Sequence, residues 1–312
     1  MYVMADGRVF MARSVFNVLI PSVPSRRRGL RRASRAGLIL AAVAALNACA
    51  WLDTKQRQLV FRPTPGVEAG FTGLRAGDLS FATQVPGVEP GTRDSLQMWW
   101  LPHANSRAPT LLYLHGTFRN LYRNLPKIDA LREAGFSVLA VDYRGWGESS
   151  PIIPSEATIY ADADVAWAEL ARRQPEPRLR VIFGHSLGGG VAVELASRMR
   201  HGSDYAALIL ESTFTSLPDV ASAAGWLGSL GALFASQKFD SAGKIAKVDA
   251  PILMLHGAAD QTVPVLLGRQ LRDAAPKDTR WVEISGGSHS TLHSDAPEAY
   301  QQALKLLIAQ LD

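Results

Sequence analysis

From Leu79 onward, short runs that are apolar almost throughout alternate with longer segments whose apolar residues recur every three to four positions. Leu79–Val85 and Leu96–Leu101 predict an antiparallel opening pair of strands. Thr110–His115, Ser137–Asp142, Leu179–Gly184, Ala206–Glu211, Ile252–His256 and Arg280–Ile284 follow, and strands so continuously apolar must be buried on both faces. Helical periods fall between them, at about 121–134, 158–173, 187–200, 264–274 and 297–311. This alternation implies an α/β fold, a mostly parallel, doubly wound sheet with helices on both faces. The rhythm breaks once. About 39 residues, 212–250, rich in Ala, Gly, Ser and aromatics (Trp226, Phe234, Phe239), separate two strands. So long a connection is expected to be a small lid or binding insert, the alternative being a plain crossover helix with long flanks.

The residues ahead of Leu79 read differently. Arg26 to Arg35 is dense in arginine, Gly37 to Leu46 runs GLILAAVAAL, and Asn47-Ala48-Cys49 follows. Basic region, short apolar run, small residue and cysteine are the layout of an export signal, so residues 1–49 are expected to be a signal peptide. The apolar run, even extended through Leu52, is about 16 residues, short of the roughly 20 needed to span a bilayer as a helix. Residues 1–25 are too long and too mixed in polarity to belong to the signal, which places the expected translation start near Val23 or Leu30. Leu46-Asn47-Ala48-Cys49 resembles the lipobox of bacterial lipoproteins. That resemblance implies lipidation of Cys49, a lipid anchor in the cell envelope and a folded part facing the periplasm. Ala50, by the sorting rule of enterobacterial lipoproteins, points to the outer membrane. Cys49 is the only cysteine, so no thiol remains for disulfides or metal binding. Residues 50–78, polar and containing Pro63 and Pro65, predict a tether and lead-in segment whose only apolar cluster is Leu59-Val60-Phe61. The folded domain is expected over 79–312.

Charge changes the picture only through its distribution. The chain carries +5 overall, but residues 1–49 hold eight arginines against one aspartate. Residues 50–312 therefore carry 25 basic and 27 acidic side chains. A nucleic-acid role loses its support, because the folded part has no surplus of cations to displace phosphate counterions.

The candidate chemistry lies at strand ends. Gly184-His185-Ser186-Leu187-Gly188 joins a buried strand to a helix, a setting in which two glycines permit a sharp turn that lifts the Ser186 hydroxyl above the sheet. A serine hydroxyl needs a base to take its proton, and the base needs an acid to orient it. Asp260 follows the strand ending at His256, and His289 follows the last strand on the loop Gly286-Gly287-Ser288-His289. Both lie at the sheet edge where sites of open α/β sheets form. His293 is the rival base, and Glu283, Asp295 and Asp142 are the rival acids. His115 and His256 are expected to bond locally, His185 is the variable residue of the elbow, and His103 and His201 are expected to lie on the surface. Two backbone donors are expected to face the developing oxyanion, the N–H of Leu187 and the N–H of Thr117 in His115-Gly116-Thr117.

Taken in order, HGT at 115–117, DYRGWGES at 142–149, GHSLGG at 184–189, STFTS at 212–216, HGAAD at 256–260 and GGSH at 286–289 resemble the α/β-hydrolase superfamily. The set is most similar to a branch of membrane-associated hydrolases that includes protein depalmitoylases, prolyl-aminopeptidase-like enzymes and bacterial lipid-anchored esterases. The resemblance implies a Ser186–Asp260–His289 triad, Leu187 and Thr117 as oxyanion donors, and a structural role for Asp142 and Arg144. Epoxide hydrolase and dehalogenase chemistry is excluded, because a serine holds the place of their nucleophilic aspartate. Cleavage of acyl esters or thioesters is the expected reaction, with a peptidase on the same fold or a non-catalytic binding lipoprotein as alternatives. A small acyl molecule is the expected partner, and no cofactor or metal is implied.

Overall fold

The computed structural model describes residues 26–117, 119–225, 228, 232 and 235–311. Residues 1–25, and Trp226 and Phe234 of the expected insert, lie outside the described residues. The chain divides into two compact units at Ala50/Trp51. Up to Ala50 the described residues form part of helix α1 (Arg26–Phe61). Among the described residues no helix is long and apolar enough to cross a membrane. From Trp51 onward, α1 continues to Phe61 where the polar sequence predicts a tether. An Arg57–Asp53 ion pair at 2.8 Å, one helical turn apart, supports it there. Phe61 ends it fully buried, edge-on to Trp146 and Phe239 at 6.5 and 6.0 Å.

The strands are β1 (Leu79–Pro86), β2 (Arg93–Leu101), β3 (Thr110–Leu114), β4 (Ser137–Asp142), β5 (Arg180–His185), β6 (Ala207–Glu211), β7 (Ile252–Gly257) and β8 (Arg280–Ile284). They form one sheet in the order β1-β2-β4-β3-β5-β6-β7-β8. The pairs β1/β2 and β2/β4 are antiparallel and all others are parallel. Every residue of β3, β4, β6 and β7 is buried, which is why their sequences are apolar without alternation.

Because successive side chains leave a strand on opposite faces, each strand feeds two cores. Leu112, Leu114, Ile182, Leu208 and Met254 pack on one face with helices α3 (Glu156–Arg173) and α4 (Leu187–Ala196). Leu111, Tyr113, Val181, Ile209 and Leu253 pack on the other with α2 (Leu121–Ala134) and the last long helix, Pro297–Ile308. Two side chains fasten the segment that follows β4. Asp142 Oδ1 accepts the first N–H of α2, from Leu121, at 2.9 Å. Arg144 donates from Nε and its backbone N–H to Asp162 of α3 at 2.8 and 2.9 Å, and from Nη1 to Asp94 at 3.0 Å. Segment 212–250 holds α5 (Leu217–Ala223) and α6 (Ala242–Ile245), and it walls a cavity described below.

Candidate active site

Ser186 sits between β5 and α4 at φ 54° and ψ −118°, a backbone state that costs a non-glycine residue energy and persists only when its surroundings impose it. Here they do. Its N–H donates to Glu211 O at 2.9 Å, and its C=O accepts Thr213 Oγ1–H and the N–H of Gly189, each at 2.9 Å. Both flanking glycines are required by contact rather than by φ. A Cβ on Gly184 would lie 2.2 Å from Gly188 O, and one on Gly188 would lie 2.0 Å from Leu114 O. The elbow is thereby pressed between β3 and the start of α4, with the side chain of Ser186 turned toward the loops.

Those loops carry His289 and Asp260, and they are stitched together. Ala258 N–H donates to Ile284 O at 2.9 Å and Ala259 N–H to Gly287 O at 3.0 Å. His289 Nε2 lies 2.9 Å from Ser186 Oγ, and His289 Nδ1 lies 2.7 Å from Asp260 Oδ2. A carboxylate only accepts, so Nδ1 carries the proton and the Nε2 lone pair faces the serine hydroxyl. Asp260 Oδ1 accepts the N–H groups of Thr262 and Val263 at 2.9 and 2.8 Å, and His256 Nε2 lies 3.4 Å from its Oδ2. Burial pushes the Asp260 carboxyl up, but His256, His289 and the Val263 N–H together hold it well below the usual carboxylate range. It therefore stays charged opposite the imidazole.

The rivals have other neighbours. His293 faces Tyr300, ring centroids 6.3 Å apart. Glu283 pairs with Arg269 Nε at 2.9 Å, and Asp295 accepts the Ser288 N–H at 2.8 Å, bracing the loop that carries His289.

The N–H of Leu187 is the first of α4 and has no acceptor within the helix. The Gly116–Thr117 peptide is oriented by His115, whose Nδ1–H donates to Gly116 O at 2.6 Å. Since N–H and C=O point opposite ways in a trans peptide, the Thr117 N–H is turned away from His115. Trp146 Nε1–H fixes the next peptide by donating to Thr117 O at 2.9 Å, which gives the DYRGWGES segment a part in shaping this turn.

Two features behind the elbow escape the sequence reading. His185 is buried and donates from Nε2 to the backbone C=O of His289 at 2.9 Å, so the residue beside the nucleophile also holds the base. Burial, with the nearby Lys127 ammonium, pushes its pKa well below the usual histidine range, and the ring is neutral. Lys127 of α2 and Glu211 at the end of β6 form a buried ion pair beneath it, and Tyr300 Oη–H donates to Glu211 at 2.8 Å. Breaking such a pair would leave a buried charge uncompensated. No pattern within α2 marks Lys127, because the buried residues of the helix also include Asn124 and Arg132.

A cavity of about 500 Å³ opens at the elbow. Thr117, Ser186 and Leu187 border it at one end, and Phe214, Leu217 and Val220 of the 212–250 segment and Leu59 and Val60 of α1 supply apolar wall. Among the described residues no group of three or more His, Cys, Asp or Glu is placed to hold a metal ion. Cys49 is exposed and unpaired by any disulfide.

A profile of the serine aminopeptidase S33 hydrolase family matches residues 105–242. The uncharacterized protein Rv2307c of Mycobacterium tuberculosis is 32% identical over 257 residues, which span 80% of this chain and 86% of that protein. The lysophosphatidylserine lipase ABHD12 of Danio rerio is 34% identical over 193 residues, and the chain spans half of its length. Among solved structures, the Pyrococcus furiosus esterase Pf2001 superimposes with a TM-score of 0.63 at 17% identity, over 80% of this chain and 98% of that one.

Proposed function

Because this chain belongs to the α/β-hydrolase superfamily, we propose that it is a serine hydrolase that cleaves acyl esters or thioesters through an acyl-enzyme intermediate. The observation that carries this reading is the unbroken hydrogen-bonded line from Ser186 Oγ through His289 to Asp260, at 2.9 and 2.7 Å. His289 Nε2 takes the hydroxyl proton as Oγ bonds to the acyl carbon. The negative charge moves to the former carbonyl oxygen, where the N–H groups of Leu187 and Thr117 are available to it; one such donor is worth about 3–4 kcal/mol in the transition state. The bond to the leaving oxygen or sulfur then breaks, and the proton on His289 goes to it. Water repeats the sequence in reverse: His289 removes its proton, its oxygen bonds to the acyl carbon, and Ser186 leaves with the proton.

The family description makes an aminopeptidase the second reading. Such an enzyme must hold the free amine of its substrate, which calls for a carboxylate, and the described lining of the 500 Å³ cavity contains no Asp or Glu. That lining favours an apolar acyl chain. We expect p-nitrophenyl acyl esters to be turned over with a kcat/KM at least about a hundredfold above that for aminoacyl naphthylamides, a difference of about 2.7 kcal/mol. The reverse order would establish the peptidase.

We further propose that Cys49 is lipidated and anchors the chain to a bacterial envelope membrane on its periplasmic side, at the outer membrane by the Ala50 rule. Its exposure and the absence of any other thiol support this. Several acyl chains on one cysteine suffice for stable anchoring where one does not. Replacing Cys49 by Ser is expected to move the protein from the membrane fraction to the soluble fraction of lysed cells; unchanged sedimentation would reject the anchor.

A further inference from the structure

Resting on the serine-hydrolase reading, we propose that a small recess beside the triad seats the water that hydrolyses the acyl-enzyme, and that His185 Nδ1 is the acceptor that orients it.

The recess has a volume of about 20 Å³, and Gly116, His185, Ser186 and His289 are among its walls. A polar space above about 10–15 Å³ holds one water when two or more polar groups face it. Ser186 also borders the 500 Å³ apolar cavity, whose described lining lacks His289. An acyl group on Ser186 Oγ can therefore extend into the large space and leave the small one to water.

His185 supplies a polar atom that the fold does not use. It is 5% exposed and spends its Nε2–H on the C=O of His289 at 2.9 Å, which leaves Nδ1 with a lone pair and no proton. Among the described residues Nδ1 has no hydrogen-bond partner, although buried polar atoms are almost always paired. A Cβ on Gly116 would lie 3.2 Å from Nδ1 and 3.0 Å from Ser186 Cβ, so this nitrogen and the nucleophile meet at the same glycine wall of the recess. The ring centroids of His185 and His289 are 5.1 Å apart. One water, with a hydrogen bond of about 2.9 Å on either side, can bridge rings at such a spacing.

In the second half-reaction that water donates one O–H to His185 Nδ1 and the other to His289 Nε2. Its oxygen bonds to the acyl carbon as the second proton passes to Nε2, and the first proton stays on the oxygen. The bond from the acyl carbon to Ser186 Oγ then breaks, Oγ takes the proton back from Nε2, and the carboxylic acid leaves with the proton that faced His185. The first half-reaction consumes no water, so His185 Nδ1 takes no part in it.

The test uses the full chain in detergent on p-nitrophenyl butyrate, whose good leaving group makes deacylation limit kcat while kcat/KM reports acylation. His185→Gln puts an amide N–H three bonds from Cβ, where Nε2 stands, and so keeps a donor for the His289 carbonyl without the acceptor at Nδ1. Its kcat is expected to fall about five- to tenfold further than its kcat/KM, the effect of one hydrogen bond, so that KM drops by that factor and acyl-enzyme accumulates in the mass of the quenched protein. His185→Asn puts an amide oxygen two bonds from Cβ, in the place of Nδ1, and gives up the donor. It should lower kcat and kcat/KM together and keep KM within about twofold of the wild type. Because His289 is the base of both half-reactions, a merely structural His185 would make the two variants alike.

A His185→Gln variant with the wild-type KM, or a His185→Asn variant whose KM drops as far, overturns the water site while the serine hydrolase stands. If a variant takes no fluorophosphonate label, a crystal structure of the wild type decides: an ordered water within about 3.2 Å of His185 Nδ1 upholds the proposal, and none there overturns it. If the wild type cleaves no ester and takes no label, both readings fall.

Discussion

Ser186→Ala is expected to lower kcat on p-nitrophenyl esters by about 10⁶-fold, the scale seen when the nucleophile of a serine hydrolase is removed. The size follows from the single role of the side chain. Among the described residues Ser186 Oγ has one hydrogen-bond partner, His289 Nε2 at 2.9 Å, while the strained turn is held by backbone contacts to Glu211, Thr213 and Gly189. Alanine keeps those contacts, so the thermal midpoint should move by no more than a degree or two. A fluorophosphonate probe should label the wild type and leave the variant unlabelled. Substantial turnover by a folded Ser186→Ala variant would remove the covalent mechanism altogether, and a folded wild type that takes no label would favour a binding module.

Asp260→Asn is expected to cost about 10⁴-fold in kcat, by reversing a tautomer. Oδ1 of Asp260 accepts two backbone N–H groups, from Thr262 and Val263. The amide oxygen of an asparagine must take that place, because the amino group has no lone pair to offer. The amino group then faces His289 Nδ1, makes that nitrogen an acceptor, and moves the ring proton to Nε2, where it points at Ser186. The base is present but cannot accept. The measurement is kcat at neutral pH, with the folded state checked by circular dichroism. A loss below about tenfold would mean that another carboxylate orients the histidine, and Asp142 is the first to examine.

Where the sequence was legible, one local cause acted. Strands β3, β4, β6 and β7 could be read because burial on both faces confines their polar residues to the strand ends. The elbow could be read because its two glycines are demanded by contacts of its own turn and the adjacent strand. Asp260 and His289 could be located because strand ends followed by Gly-rich loops share one edge of a parallel sheet.

The extension of α1 was not legible. Its residues are polar enough for a tether, and Phe61 is buried only because Trp146 and Phe239, 85 and 178 residues later in the chain, close around it. The same holds for the pair Lys127 and Glu211, 84 residues apart, and for the bond from His185 to the carbonyl of His289, 104 residues away. No pattern within a window of one element contains such partners.

The amino-acid order by itself therefore determined the α/β alternation, the turn types and the candidate groups, because each depends on neighbours a few residues away or on which faces a strand must bury. Tertiary structure alone decided which of several histidines and carboxylates meet Ser186, which side of it opens on the apolar cavity, and that the residue beside the nucleophile also grips the base. Those outcomes depend on distances across the sheet edge, which are set only when β5, β6, β7 and β8 lie side by side in register.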